Sequence, residues 1–292
     1  MRALAPSTTG YVERDGISVY YESYGDGDPT VFLLMPDLIV QSQAWKAQVP
    51  FLARHYRVVV IDPRGNGKSD SPGSPELFTT RQFLDDAWAV LDRIEVEQAV
   101  LVGLCTGAGH AVMMAAEAPS RVLGVCAINP GLALSPPHPF KVAHDFDAVL
   151  DSDEGWHKLN RHYWRRDWPG FARFFFGEMF PEPHSSKQLE DCVAWACGTT
   201  VDAMLAEADA PASTQYDAAD ICRQVTCPVL VITGSEDHCQ SPERGRKVAE
   251  LTGGDLVVIE GAGHLPQARD PVKVNLLLRD FVRRVGTSPR TT

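Results

Sequence analysis

The chain reads as an α/β protein, with one mostly parallel, eight-stranded sheet flanked by helices and a helical segment inserted after the sixth strand. Three observations predict this. Short apolar runs such as residues 30–35 and 57–62 suit strands buried on both faces rather than the alternating pattern of a half-exposed sheet. Helical runs alternate with them, as right-handed crossovers between parallel strands require. That rhythm stops for roughly residues 132–216, where the composition changes, and then resumes.

Taken in order, residues 1–9 and 287–292 are small or polar, lack periodicity and read as tails. Residues 11–13 and 17–24 form two strands joined at Asp15-Gly16, a hairpin signal. Strand 30–35 leads to helical spacing at 45–56, and strand 57–62 to the loop Pro63-Arg-Gly-Asn-Gly-Lys-Ser-Asp70. Residues 79–96 are helical, with Phe83, Ala87, Leu91 and Ile94 on one stripe. A strand at 99–104, a helix at 107–118 and a strand at 122–129 follow. After the interruption come a strand at 228–233, a helix at 243–251, a strand at 255–260 and a last helix at 272–285. The pattern divides the chain into a core domain, residues 1–131 and 217–292, and a helical cap or lid, residues 132–216. The cap opens with Ser135-Pro-Pro-His-Pro139 and holds a dense aromatic and basic stretch at 156–168 (WHKLNRHYWRRDW), then Phe171 and Phe174 to Phe176. It ends in helical runs at 186–196 and 201–208.

The 292 residues include 38 acidic and 27 basic side chains, a formal net charge of −11. That balance argues against general affinity for nucleic acid or an anionic membrane surface. No run approaches the ~18 apolar residues of a spanning helix. The first residues, MRALAPSTTGYVERDG, contain no long apolar stretch that would read as a signal peptide. Seven cysteines are an odd number, so at least one lies outside any internal disulfide. The expectation is a cytoplasmic protein with reduced thiols. A membrane protein, a disordered chain and a disulfide-stapled miniprotein are excluded.

The most informative stretch is Val102-Gly-Leu-Cys-Thr-Gly-Ala-Gly-His110. A buried strand meets a helix through Gly103-x-Cys105-x-Gly107. A turn this tight strains its central residue and needs small neighbours two positions to each side, so that strand and helix can approach. It exposes the central side chain at a helix N-terminus, where unpaired amides and the helix dipole favour negative charge. A thiol there has a lowered pKa and more thiolate character. The Thr106 N–H is placed to donate to a developing oxyanion.

This strand–turn–helix resembles the nucleophile elbow of the α/β-hydrolase fold superfamily, usually Gly-x-Ser-x-Gly, with cysteine in place of serine. The likeness extends over roughly residues 10–285 apart from the cap. Asp237 follows a strand through Gly234-Ser-Glu-Asp237, His264 lies in Gly261-Ala-Gly-His264, and the 63–70 loop resembles that family's D-x-R-G-x-G-x-S. The resemblance implies that Cys105 attacks an acyl carbonyl, that His264 shares its proton and later activates the acceptor, and that Asp237 orients the imidazole. For Cys105 a buried inert thiol and an engineered replacement of a serine stand as alternatives. For His264 and Asp237 they are a structural turn histidine and a helix-capping aspartate. The position after strand 122–129, where a substitute acid would sit, is Asn129. One departure is in the loop Leu34-Met35-Pro36-Asp37-Leu38, where the family often has His-Gly. Pro36 has no N–H, so the second oxyanion donor falls to Asp37 or Leu38. Asp37 has two further readings, a structural residue or a contact for a polar or cationic substrate group.

Other constellations are weaker. Cys222, Cys227, His238 and Cys239 fit no compact zinc pattern, and neither a metal nor a cofactor is expected. Cys239, two residues after Asp237, can approach the site, and reads otherwise as a passive thiol. His110, one turn beyond Cys105, reads as a packed histidine or a second base. Gly103, Gly107 and Gly109 belong to the elbow rather than to a dinucleotide fingerprint. In the cap, Lys158, Arg161, Arg165, Arg166 and Arg173 read as a solvated face with stems over aromatic rings, or as a clamp for a phosphate of coenzyme A or a carrier protein. Trp164, Trp168, His162 and Arg165 are the candidate substrate contacts, with His157 and Tyr163 also able to line an acyl pocket.

The leading expectation is a cysteine-dependent acyl hydrolase of thioesterase, esterase or lactonase type, acting on a small organic substrate through an acyl-cysteine. The same intermediate serves an acyltransferase or cyclase. A non-catalytic ligand-binding protein of this fold is the alternative from another class. The partner is then a small-molecule acyl compound, with coenzyme A and carrier-protein thioesters among the candidates, and a homodimer is one arrangement left open.

Overall fold

The structure is a computed structural model describing residues 4–35, 38–136, 138–139, 141, 144–211 and 217–287. The expected hairpin forms between β1 (Thr8–Arg14) and β2 (Ile17–Tyr24), with Arg14 opposite Ile17. Asp15 and Gly16 turn the chain with φ of 51° and 76°, the left-handed pair that a two-residue hairpin loop uses. Strand β1 starts within the stretch that reads as a tail, because Thr8 and Thr9 find ladder partners in Ser23 and Glu22.

The remaining strands are β3 (Thr30–Leu34), β4 (Val58–Ile61), β5 (Ala99–Leu104), β6 (Val122–Ile128), β7 (Val229–Gly234) and β8 (Asp255–Ile259). They form one 8-stranded sheet in the order β1-β2-β4-β3-β5-β6-β7-β8. Strand β2 pairs antiparallel with β1 and β4, and the other pairs are parallel. The helices are α1 (Val49–Leu52), α2 (Thr80–Arg93), α3 (Thr106–Glu117), α4 (Arg161–Arg166), α5 (Trp168–Met179), α6 (Ser186–Ala196), α7 (Val201–Ala208), α8 (Ala218–Gln224), α9 (Pro242–Thr252), α10 (Pro266–Arg269) and α11 (Pro271–Gly286).

Successive residues of the central strands enter two different cores, as the period-two geometry of a strand requires. Phe32, Val59, Leu101 and Val125 pack with the apolar faces of α2, α3, α8 and α9. Leu33, Val60, Val102 and Cys126 face α1, α11 and the helices between β6 and β7. This two-sided burial explains the lack of alternation in the strand sequences.

Two local readings change. The helical spacing at 45–56 becomes a 3-10 turn at Ser42–Trp45 and the single turn α1, because Pro50 fits only the start of a helix. Helix α8, absent from the sequence reading, is started by Asp217, whose side chain accepts from Asp220 N. Helices α6 and α7 occupy the expected spans. The aromatic stretch folds into α4 and α5, where Trp164 packs on Trp168 and Phe171 at centroid distances of 5.4 and 4.9 Å. Among the described residues, no helix is long and apolar enough to cross a membrane.

Candidate active site

Cys105 sits between β5 and α3 with φ 53° and ψ −120°, a conformation few L-residues adopt. Tertiary hydrogen bonds hold it there. Its N–H donates to Ile128 O at 2.9 Å, and its carbonyl accepts from Ala108 N, Gly109 N and Gly131 N at 3.0, 3.2 and 2.8 Å. The two elbow glycines are needed for contact. A Cβ on Gly103 would lie 2.2 Å from Gly107 O, and one on Gly107 would lie 2.4 Å from Met35 O. Thr106 opens α3, so its amide is among those that the helix leaves without an intrahelical partner.

The loops after β7 and β8 bring Asp237 and His264 to this turn. His264 Nδ1 donates to Asp237 Oδ2 at 2.7 Å, and both side chains are buried. Asp237 Oδ1 accepts from the amides of Cys239 and Gln240 at 2.7 and 2.9 Å, which fixes the carboxylate. Donor atoms of Cys105, Cys239 and His264 all lie within 4.8 Å of one another. Gln240 Nε2 donates to Cys105 Sγ at 3.4 Å.

These contacts set the charges. The Cys239 S–H donating to Cys105 holds its thiol well below the ordinary value against the opposing effect of burial, helped by the charge of His264 and by Gln240. Cys239 moves up, first because it donates to Cys105 and second through burial. Burial pushes His264 down, but Asp237 and the two sulfurs outweigh it and hold the ring well above its usual value. These directions favour charge on the Cys105 sulfur rather than on Cys239, and a charged His264 ring beside it.

Two supporting residues had no catalytic reading in the sequence. Asn129, with φ 43°, donates to His264 O at 2.8 Å and accepts from Gly234 N and Thr233 Oγ1 at 2.9 and 3.0 Å. It therefore joins β6, β7 and the histidine loop. Asn66 Nδ2 donates to Leu38 O at 2.6 Å and to Trp195 O at 3.2 Å, joining the loop after β3 to α6. Their only sequence signals are positions just beyond a strand end and inside the glycine-rich loop. Cys239 and Gln240 lie two and three residues after Asp237, and that proximity in sequence is the available clue. In the 63–70 loop, fully buried Arg64 makes a two-pronged pair with Asp86 at 2.7 and 2.6 Å. Of the expected oxyanion donors, Asp37 lies outside the described residues, and Leu38 is buried with its carbonyl held by Asn66.

The cap residues divide. Trp164 lines a cavity of about 340 Å³ with Phe83, Thr106, His110 and Met204. Trp168 is buried and donates from Nε1 to Ala196 O at 3.0 Å, holding α5 to α6. His162 and Arg165 are exposed and do not line that cavity. The basic stretch is largely engaged: Arg161 pairs with Asp147 and Asp209, and Arg166 with Asp153. His110 is buried against Phe83 with ring centroids 5.7 Å apart, and burial lowers its pKa to about 4, so at neutral pH it is uncharged. All seven cysteines are free thiols. Cys222 is buried and Cys227 half-buried, and neither belongs to the Cys105–Cys239–His264 group.

Comparison with known proteins agrees with this fold. A family model described as alpha/beta hydrolase fold matches residues 36–156. A bifunctional esterase/perhydrolase of Acinetobacter calcoaceticus is 28% identical over 284 residues, covering 94% of this chain and 99% of that protein. The 3-oxoadipate enol-lactonase 2 of Acinetobacter baylyi is 24% identical, covering 92% of this chain and 94% of that protein. Among solved structures, the N-acyl homoserine lactone degrading enzyme Est816 superposes with a TM-score of 0.75 at 27% identity, covering 93% of this chain and 100% of that one.

Proposed function

The chain belongs to the α/β-hydrolase fold superfamily, and on that premise we propose that it is an acyl hydrolase whose nucleophile is Cys105. The observation that carries the reading is the Asp237–His264 pair at 2.7 Å beside a cysteine held at positive φ on the elbow. Residues 1–131 and 217–292 serve as the core domain, and residues 132–216 cap the site.

The Cys105 thiolate adds to an acyl carbon, and the carbonyl oxygen becomes an oxyanion facing the Thr106 N–H. Collapse expels the alkoxide or thiolate leaving group, which takes a proton from His264, and leaves an acyl-cysteine. His264, now neutral, removes a proton from water as the water attacks. The acid departs, and the thiolate–imidazolium pair is restored while Asp237 keeps the ring oriented. The lactonase and esterase relatives support small esters and lactones as substrates, and the thiolate suits thioesters equally. Burial of the triad beneath aromatic helices favours a second reading, transfer of the acyl group to a bound nucleophile in place of water.

The test is intact mass after brief exposure to aryl esters, lactones and acyl thioesters of several chain lengths. The expected result is one acyl adduct on Cys105, absent from Cys105→Ala, with free acid as the product. No adduct and no turnover across the panel would overturn the proposal, and an acylated acceptor in place of free acid would favour the second reading.

A further inference from the structure

We propose that Cys105, Cys239 and His264 form a binding site for a thiophilic divalent cation such as Zn²⁺, which competes with the acyl group for the nucleophilic sulfur. The sequence reading found no compact zinc pattern, because these donors come from three separate turns, after β5, β7 and β8. Folding brings two sulfurs and an imidazole nitrogen within 4.8 Å of one another in a buried setting. Two thiolates and a histidine are the donors that soft and borderline d¹⁰ cations prefer. A tetrahedral ion with bonds of about 2.3 Å to sulfur and 2.0–2.1 Å to nitrogen needs its donors roughly 3.5–3.8 Å apart, so contraction of at most about 1.3 Å from the 4.8 Å bound completes the set. Three protein donors leave the fourth position for water or an anionic ligand.

A second observation concerns the surroundings of these donors. A histidine that binds a metal usually gives its other ring N–H to a carboxylate, which fixes the tautomer and orientation. Here Nδ1 of His264 is engaged by Asp237 at 2.7 Å, leaving Nε2 as the nitrogen open to a cation. Asp237 is itself held by the Cys239 and Gln240 amides, and Gln240 Nε2 donates to the Cys105 sulfur. The same framework can thus orient a base or a ligand, but not both at once. On binding, the ion takes a lone pair from each of the Cys105 and Cys239 sulfurs and from His264 Nε2, the Cys239 thiol proton and the Nε2 proton of the imidazolium leave to solvent, and acylation of Cys105 is blocked. The site does not depend on the acyl-cysteine reading, since metal content and acyl adducts are measured separately.

The test uses the full chain, chelator-treated and kept reduced by a phosphine, titrated with Zn²⁺ and analysed for metal after gel filtration. One Zn²⁺ per chain is expected, with Mg²⁺ not competing. Cys239→Ser should weaken binding at least about tenfold and Asp237→Asn by about 10–100-fold. The double variant Cys197→Ser/Cys227→Ser, outside the donor set, should bind as the unaltered chain does. Co²⁺ should give a sulfur-to-metal charge-transfer band that Cys239→Ser weakens. On the unaltered chain, Zn²⁺ should slow alkylation of Cys105 by iodoacetamide while exposed Cys197 reacts as before. Absence of stoichiometric Zn²⁺, or alkylation of Cys105 at an unchanged rate in its presence, would overturn the proposal. So would binding that survives Cys239→Ser or disappears in the Cys197/Cys227 variant.

Discussion

Asp237→Asn is the substitution whose consequence can be worked furthest. The side chain keeps its shape and still offers an oxygen to the Cys239 and Gln240 amides, but the charge beside His264 Nδ1 is lost. That charge counters the burial that pushes His264 down, so the ring pKa falls and the imidazolium is depopulated near neutral pH. Cys105 keeps the Cys239 S–H, the first cause of its low pKa, but loses the charge of His264. Opposite charges at the 4.8 Å bound interact by about 3–4 kcal/mol at an effective dielectric of 20, equivalent to a rise of roughly 2–3 units in the thiol pKa. Iodoacetamide alkylation of chelator-treated protein, followed across pH by intact mass, measures this without a known substrate. The thiolate limb of Cys105 should begin well below that of an ordinary thiol in the unaltered chain, and should move upward in Asp237→Asn. Superimposable profiles for the two proteins would refute the argument, as would ordinary thiol behaviour in the unaltered chain. Turnover of any substrate should fall by about 10²–10⁴-fold through loss of both ion pair and tautomer.

Other outcomes follow from neighbouring contacts. Gly107→Ala should destabilise the fold by about 1–3 kcal/mol or more, read by denaturant unfolding, since its Cβ would meet Met35 O at 2.4 Å. Asn129→Ala should cost about 2–3 kcal/mol and lower kcat, because Gly234 N and the His264 carbonyl lose a buried partner. Arg64→Ala should cost about 3–5 kcal/mol by breaking the buried pair with Asp86, with unfolding again the measurement. His110 has a folded pKa of about 4 against about 6.5 unfolded, so between those values the unfolded chain binds the extra proton. Its contribution therefore becomes destabilising as pH falls through that window, by roughly 3 kcal/mol at the acid end. His110→Gln should flatten the stability–pH curve there, and an unchanged slope would contradict the assigned burial effect.

Much of the architecture was legible because it depends on local chemistry. Apolar strands, the Asp15-Gly16 turn and the small residues around Cys105 each constrain the backbone where they stand. Together they determined the order of elements, the place of the insert and the elbow. Helix 45–56 failed because Pro50 outweighs apolar spacing, and α8 was missed because seven residues carry little periodicity.

The three residues of the proposed site, Cys105, Asp237 and His264, each sit in their own short motif, and the structure brings them to one place. What surrounds them was decided only by tertiary structure. Cys239 against Cys105, Asn129 beneath His264, Asn66 between Leu38 and Trp195, and the outward placement of His162 and Arg165 all depend on which turns and helices meet. The odd number of cysteines showed that at least one thiol stays outside an internal disulfide. It could not show that the sulfurs of Cys105 and Cys239 would meet in one buried group, because that follows from distances between turns more than a hundred residues apart.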